Sequence, residues 1–315
     1  MLSVNEALSY EDAIGIGRKG TIDKPYLLKA PFWTVDTLFY LTVQDNMDIS
    51  FVFPLLQTIR WKQLDESTGV PSLSKKTIES VMVHVPKKEE QKNLGNLFLF
   101  VDNLIAATQG KLDQLQMVKK ALLQHLFDQS MRFKGYSDPW EKRKFKDIVT
   151  RVNQMSNDSK LPSVEFEDIV SGQGRLRKSA HLKFNTKKGI SFQPRDVLFG
   201  KLRPYLHNWL FPNFHGRAVG DFWVLRANSN VFPGYLFQLV QAPRFQSIAN
   251  ISSGTKMPRS DWKTVAESHF LLPDVSEQKR IWQLFKVLDD LIAATQSKLS
   301  SLESLKKALL QGLFI

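Results

Sequence analysis

The chain has no cysteine in 315 residues. Disulfides and cysteine-held metal are therefore excluded, and a reducing cytoplasm is the expected setting. The six histidines are scattered, without the HxxxH or HExxH spacing of a zinc site. No run of 18 apolar residues occurs and the N-terminus lacks a basic-then-apolar leader, so the reading is a soluble intracellular protein. There is no Walker A motif, and no NPPY-like or DPPY-like tetrapeptide of the amino-methyltransferases. GIGRKG (Gly15 to Gly20) has GxGxxG spacing, but no complete strand precedes it and Pro25 follows too soon for the helix that a dinucleotide site requires. It reads as a glycine turn carrying Arg18 and Lys19. The chain shows no catalytic centre of its own.

What is present is a repeat. LIAATQGKLDQLQMVKKALLQHLF (Leu104 to Phe127) returns 187 residues later as LIAATQSKLSSLESLKKALLQGLF (Leu291 to Phe314), the mark of duplicated architecture. The same offset aligns Pro86 with Pro273, Glu90-Gln91-Lys92 with Glu277-Gln278-Lys279, and Pro71 with Pro258. A slightly smaller offset aligns Phe53, Gln57 and Arg60 with Phe237, Gln241 and Arg244, and Gly17-Arg18-Lys19 falls near Gly200-Lys201-Leu202. A further change aligns Phe32-Trp33 with Phe222-Trp223. The chain reads as globular part, helix, globular part, helix.

Charge is uneven. Residues 139–275 hold 21 Lys and Arg against 11 Asp and Glu, most of the +12 carried by the whole chain, whereas residues 1–86 hold 8 against 10. A basic second module points to a polyanion, with nucleic acid the default.

Both repeated stretches carry heptads. Leu94, Val101, Thr108, Leu115 and Leu122 recur every seven residues, with Leu97, Leu104, Lys111 and Val118 as a second row and Phe98, Ile105, Leu112 and Leu126 widening the stripe. In the second copy the rows are Ile281, Leu288, Thr295, Leu302 and Leu309, then Leu284, Leu291, Lys298 and Leu305. A helix from about Lys88 to Phe127 is on the order of 60 Å long. Two such seams predict an antiparallel pair whose polar centres, Thr108 with Lys111 and Thr295 with Lys298, meet and fix register. Asp274 and Glu277 have capping-box spacing. With Pro273 and Lys279 they imitate a PD…ExK nuclease, but the spacing is too tight to set two carboxylates around a metal.

Cation-bearing turns cluster in the basic module: GQGRLRK (Gly172 to Lys178), GKLRPY (Gly200 to Tyr205) and SSGTKMPR (Ser252 to Arg259). Such loops suit phosphate contacts and arginine readout of guanine. The candidate DNA-facing residues are Arg175, Arg177, Lys178, Lys201, Arg203, Tyr205, Lys256 and Arg259, with Arg18 and Lys19 as their weaker counterparts in the first module.

VLFGKLRPYL (Val197 to Leu206), the SSGTKMPR loop, the LP…SEQK helix entry (Leu272 to Lys279) and the paired LIAATQ…KKALLQ helices together resemble the specificity subunit of type I restriction–modification enzymes. IGIGRKGTIDKPYL and DESTGVPSLSKKTIESVMVHVP look like the later part of a target-recognition domain. The resemblance implies an α+β fold: target-recognition domains, one partial and one complete, separated by two long conserved helices that form an antiparallel coiled coil. The segments are 1–86, a partial recognition domain; 87–128, the central helix; 129–273, the complete domain; and 274–315, the C-terminal helix. The opening part of the first domain reads as absent.

In such a family each recognition domain reads one half of a bipartite double-stranded DNA site. The helices act as a ruler and dock methyltransferase subunits, and a motor/nuclease subunit joins for restriction. The specificity subunit is non-catalytic and holds no cofactor, so S-adenosylmethionine, ATP and Mg are expected on the partners. A second copy of the chain is a further expected partner. The alternatives are a truncated or silent specificity allele acting as a half-subunit or as a recombination reservoir, and a stand-alone DNA-binding scaffold.

Overall fold

The computed structural model describes residues 6–177, 183–251 and 257–314; Lys178 and Lys256 lie outside them. The chain forms two compact units, Met1–Leu112 with Ala294–Ile315, and Asp113–Ala293. The boundaries between the units fall inside the two long helices, after Leu112 and before Ala294.

In the first unit, β1 (Ala13–Gly17), β2 (Tyr26–Leu28) and β3 (Leu38–Leu41) form an antiparallel sheet in the order β2-β1-β3. Ile14 and Ile16 of β1 are fully buried and pack with Ile22, Leu56, Trp61 and Leu73. The GxGxxG glycines serve this packing. A side chain on Gly17 would strike the Thr21 carbonyl at 2.0 Å, and Gly20 takes the left-handed turn at φ +89°. Helix α1 (Ile49–Thr58) is capped by Asp48, and α2 (Lys75–Glu79) by Ser74, each accepting a backbone N–H of the first turn. Helix α3 (Lys88–Phe127) begins in this unit.

The second unit opens with β4 (Glu141–Lys144), α4 (Phe145–Ile148) and β5 (Val149–Val152). There follow β6 (Met155–Ser156), β7 (Ser163–Val164), β8 (Ile169–Val170), β9 (Arg175–Leu176), β10 (Gly189–Phe192), β11 (Val197–Gly200), β12 (Trp209–Leu210), β13 (Gly216–Ala218) and β14 (Phe222–Ala227). The last elements are α5 (Pro233–Leu239), α6 (Pro243–Ala249), α7 (Trp262–Glu267), β15 (His269–Leu272) and α8 (Val275–Leu313). Two four-stranded sheets run in the orders β6-β10-β13-β7 and β12-β11-β14-β5. β11 is buried on both faces. Val197 and Phe199 enter a large core with Tyr235, Phe245, Phe270 and Phe285, whereas Leu198 enters a second core with Phe192 and Val224.

The duplication is visible bond by bond. Gly17 pairs with Leu38 as Gly200 pairs with Phe222, so β3 corresponds to β14. The sequence alignment of Phe32-Trp33 with Phe222-Trp223 is thereby corrected. Phe32 instead bridges Ser9, as Gly216 pairs with Phe192. Two aromatic side chains in unlike surroundings had imitated a match. Gln91 and Gln278 are the same buried clamp. Gln91 donates to the Pro86 carbonyl at 2.9 Å and accepts the Asp48 N–H at 3.0 Å. Gln278 donates to the Pro273 carbonyl at 2.8 Å and accepts the Phe232 N–H at 2.6 Å. Each ties the start of a long helix to the N-cap residue of an earlier short one, α1 or α5, using amides that a helix start leaves unmated.

Helices α3 and α8 pack antiparallel. Within the first unit Lys306 pairs with Asp102 at 2.6 Å, and within the second Lys119 pairs with Asp289 at 2.7 Å. Both pairs join the same duplicated positions. The first predicted row faces inward: Val101, Thr108, Ile281, Leu288 and Thr295 are buried, and Leu94, Leu115, Leu122, Leu302 and Leu309 are half-buried. The second row needs correction. Leu97 and Leu291 are 39% and 46% exposed, Lys111 and Lys298 lie in solvent, and Leu104 and Leu284 are only half-buried. The true second row is Phe98, Ile105, Leu112, Lys119 and Leu126, matched by Phe285, Ile292, Leu299 and Lys306. Seams alternate spacings of three and four; the row chosen from leucine count lies one position too early.

Candidate nucleic-acid interface

The GKLRPY turn leaves the buried strand β11 and is fixed by its backbone. Lys201 N–H donates to the Asp221 carbonyl and the Ser260 N–H donates to the Lys201 carbonyl, both at 2.8 Å, and the Arg203 N–H donates to the Pro258 carbonyl at 2.7 Å. Arg203 sits at φ 49°, a left-handed conformation that ordinary residues rarely adopt. With the main chain held, the side chains of the turn are turned outward. Tyr205 is 52% exposed, and Arg203 is exposed.

Lys201 and Arg259 come together on one carboxylate. Asp221 lies 3.5 Å from Lys201 Nζ and 3.1 Å from Arg259, whose side chain keeps half its surface in solvent. Leu202 and Arg259 form a backbone bridge. Asp221 thus positions two cations without burying them, a role invisible in sequence because the three residues come from separate loops. A phosphate approaching this patch would compete with Asp221 for both cations.

The other candidates are distributed. Arg177 is anchored by its Nε on the Glu167 carbonyl at 2.8 Å. Arg175 donates to Gln173 and lines a cleft with Lys119, Lys120, His207 and Trp209. Burial holds the His207 imidazole below its usual pKa. The hairpin of β8 and β9 leans on the Tyr205 turn, since the Gly172 N–H donates to the His207 carbonyl at 2.9 Å.

The first unit repeats the turn without the acid. Arg18 N–H donates to the Thr37 carbonyl at 2.8 Å and the Leu73 N–H donates to the Arg18 carbonyl at 3.0 Å, which reproduces the Lys201 pins bond for bond. Lys19 bridges Ser72 as Leu202 bridges Arg259. Arg18 is exposed and stacks over Phe39 at 5.7 Å. Thr37 stands where the second unit has Asp221.

Not every cation of the basic module faces outward. Arg217 is fully buried and donates to the carbonyls of Leu161, Asn185 and Lys187. Arg226 makes a two-pronged pair with buried Asp196 at 2.8 Å. Glu267 is shared by Lys144 and Lys146, whose hydrogen bonds hold its carboxyl down at about 2.

The apparent nuclease motif resolves into architecture. Asp274 caps α8 by accepting the Glu277 N–H at 2.9 Å. Glu277 is 1% exposed and takes a two-pronged pair from Arg132 plus the Trp140 indole N–H at 2.9 Å. That hydrogen bonding holds the Arg132 guanidinium above its usual pKa. Among the described residues no group of three or more His, Asp or Glu is placed to hold a metal ion, and no helix is long and apolar enough to cross a membrane.

Residues 3–117 match the family model of the type I restriction modification DNA specificity domain. That match places a domain of this kind in the first third of the chain. Three curated relatives extend the match. The specificity subunit of type I restriction enzyme MjaVIII from Methanocaldococcus jannaschii is 23% identical over 85% of this chain and 69% of its own length. That of HindI from Haemophilus influenzae is 26% identical over 56% and 41%. That of EcoDI from Escherichia coli is 21% identical over 78% and 64%, so two of the three relatives extend well beyond the matched part. The fold is that of the S subunit of a type I restriction–modification system from M. genitalium, with TM-score 0.69 and 14% identity over 99% of this chain and 85% of that one. A structure described as the basis of complex assembly and conformational transition of the type I R-M system aligns with TM-score 0.57, covering 98% and 83%.

Proposed function

We propose that this chain selects the DNA site for a type I restriction–modification complex through the 129–273 module. In this reading Lys201, Arg203, Tyr205 and Arg259 form the DNA-facing patch, and Arg175, Arg177, Lys178 and Lys256 are further DNA contacts. Arg18 and Lys19 form a weaker second contact in the 1–86 module. One observation carries it: the same backbone-pinned, cation-bearing turn is built twice, at Arg18 and at Lys201. A turn kept rigid while its side chains stay exposed is arranged for an external partner. Chemistry belongs to methyltransferase subunits docked on the α3–α8 pair and to a motor/nuclease subunit, which supply S-adenosylmethionine, ATP and Mg.

Filter binding of duplex DNA across a salt series tests the patch, using the complex reconstituted with its methyltransferase. Replacing Lys201 and Arg203 by alanine lowers affinity and reduces the slope of log K against log salt by about 1 for each phosphate no longer neutralised. Unchanged affinity and slope reject these positions.

A further inference from the structure

One residue of the proposed DNA patch occupies a place that suits another amino acid. Arg203 stands at φ 49°, where a Cβ crowds the following carbonyl and glycine is at ease. The first unit shows what the fold requires there. The Gly20 N–H donates to the Pro71 carbonyl at 2.8 Å as the Arg203 N–H donates to the Pro258 carbonyl at 2.7 Å, and the two prolines are themselves duplicated positions. Gly20 is left-handed too, at φ +89°. The turn therefore needs the conformation and not the arginine. In the first unit glycine supplies it without strain; in the second a long cation is held in it.

The side chain so placed is not used by the fold. Arg203 is exposed, and among the described residues its guanidinium makes no hydrogen bond or ion pair. The chain that follows is fixed: Pro204 is buried, the Leu206 N–H donates back to the Arg203 carbonyl at 2.8 Å, and His207 closes the turn at φ 54°. Two residues beyond Arg203, Tyr205 is 52% exposed, whereas Ile22, two beyond Gly20, is 1% exposed. Strain at a rigid, exposed position persists where a ligand needs a group held in one place. The neighbours identify the ligand. Lys201 and Arg259 share Asp221 beside this turn. Three cations and a phenol hydroxyl on two joined loops match the charge and acceptors of a backbone phosphate, whereas a base edge is uncharged and takes one fork.

We infer that Arg203 is a phosphate clamp, which sets the register of the module on the duplex without reading sequence. This rests on the reading that the module binds DNA, and it separates affinity from specificity at one residue.

The test uses the full chain reconstituted with its methyltransferase and two labelled duplexes of unrelated sequence, with affinity followed by fluorescence anisotropy across a salt series. Arg203→Gly should weaken binding to both duplexes by the same factor, about tenfold, as for loss of one charge-assisted bond. The slope of log K against log salt should fall by about 1. The Tm should equal or exceed that of the parent, since glycine is what the first unit places in this turn. Arg203→Asn, a change to another residue that tolerates the left-handed conformation, should behave alike. The methylated motif should stay the same. Unchanged affinity in both variants, with weaker binding when Lys201 and Arg259 are replaced by alanine, overturns the clamp and leaves DNA binding by the module intact. A motif altered at one base pair also overturns it, by making Arg203 a base reader. If neither set of variants changes affinity or slope, the DNA-facing patch itself is rejected, and the clamp with it.

Discussion

Lys119 Nζ lies 2.7 Å from Asp289, and the duplicated positions make the same bond the other way round, Lys306 to Asp102 at 2.6 Å. Each lysine occupies an inward seam position where its neighbours are apolar, and each keeps no more than a fifth of its side chain in solvent. Burial pushes the Asp289 carboxyl up while Lys119 pulls it down. A polar pair at a seam position specifies register and orientation more than it adds stability. A double-mutant cycle on Lys119→Met and Asp289→Asn, read by denaturant unfolding, should give a coupling of about 1 kcal/mol. The double variant should lie close to the parent. A coupling near zero would mean that apolar packing alone sets the register.

The short helices approach the long ones through a small residue that changes sides between the units. In the first unit a Cβ on Gly95 of α3 would meet Ser50 Oγ of α1 at 2.0 Å; in the second a Cβ on Gly234 of α5 would meet the Trp282 ring of α8 at 2.2 Å. Gly234→Val should destabilise the protein by about 2 kcal/mol through overpacking, seen as a lower Tm. A Tm equal to that of the parent would contradict the close approach.

Glu267 gives an acid-limb prediction. Lys146 and Lys144 hold its carboxyl at about 2, below an ordinary value of 4.5. The stability this adds is complete above pH 4.5 and is lost as pH falls from there toward 2, because the unfolded state takes up the proton first. Glu267→Gln should therefore flatten the dependence of unfolding midpoint on pH in that window and leave its slope near neutrality unchanged. An unaltered acid limb would show that the interaction adds nothing.

Asp221 tunes the proposed DNA patch. Neutralising it with Asp221→Asn frees Lys201 and Arg259 from their shared acid, so affinity for duplex DNA should rise severalfold with little change in sequence preference. Weaker binding would assign Asp221 a contact to the bases.

The duplication was legible in the sequence because helix seams demand near-identity, and seam residues persist where surface residues drift. LIAATQ…KKALLQ announced two paired helices, and Glu-Gln-Lys marked both of their starts. The inward row at Val101, Thr108 and Leu288 was legible too. Its companion was not, since Lys119 and Lys306 look like surface residues until their acids are seen across the seam. The match of Phe32-Trp33 to Phe222-Trp223 failed because aromatic identity says nothing of strand register, whereas the true counterpart, Leu38–Leu41, shares only its pairing with Gly17. Arg18 and Lys201 were recognisable as turn cations. Asp221 and the buried Arg217 were not, because their roles depend on partners distant in the chain.

The methylation pattern left on DNA is the decisive readout. Cells carrying the methyltransferase subunit and this chain would be compared with cells in which residues 129–273 are exchanged for the corresponding module of another specificity subunit. Methylome sequencing should show one half of a bipartite motif replaced and the other half retained. An identical motif before and after the exchange would contradict the claim that this module reads DNA.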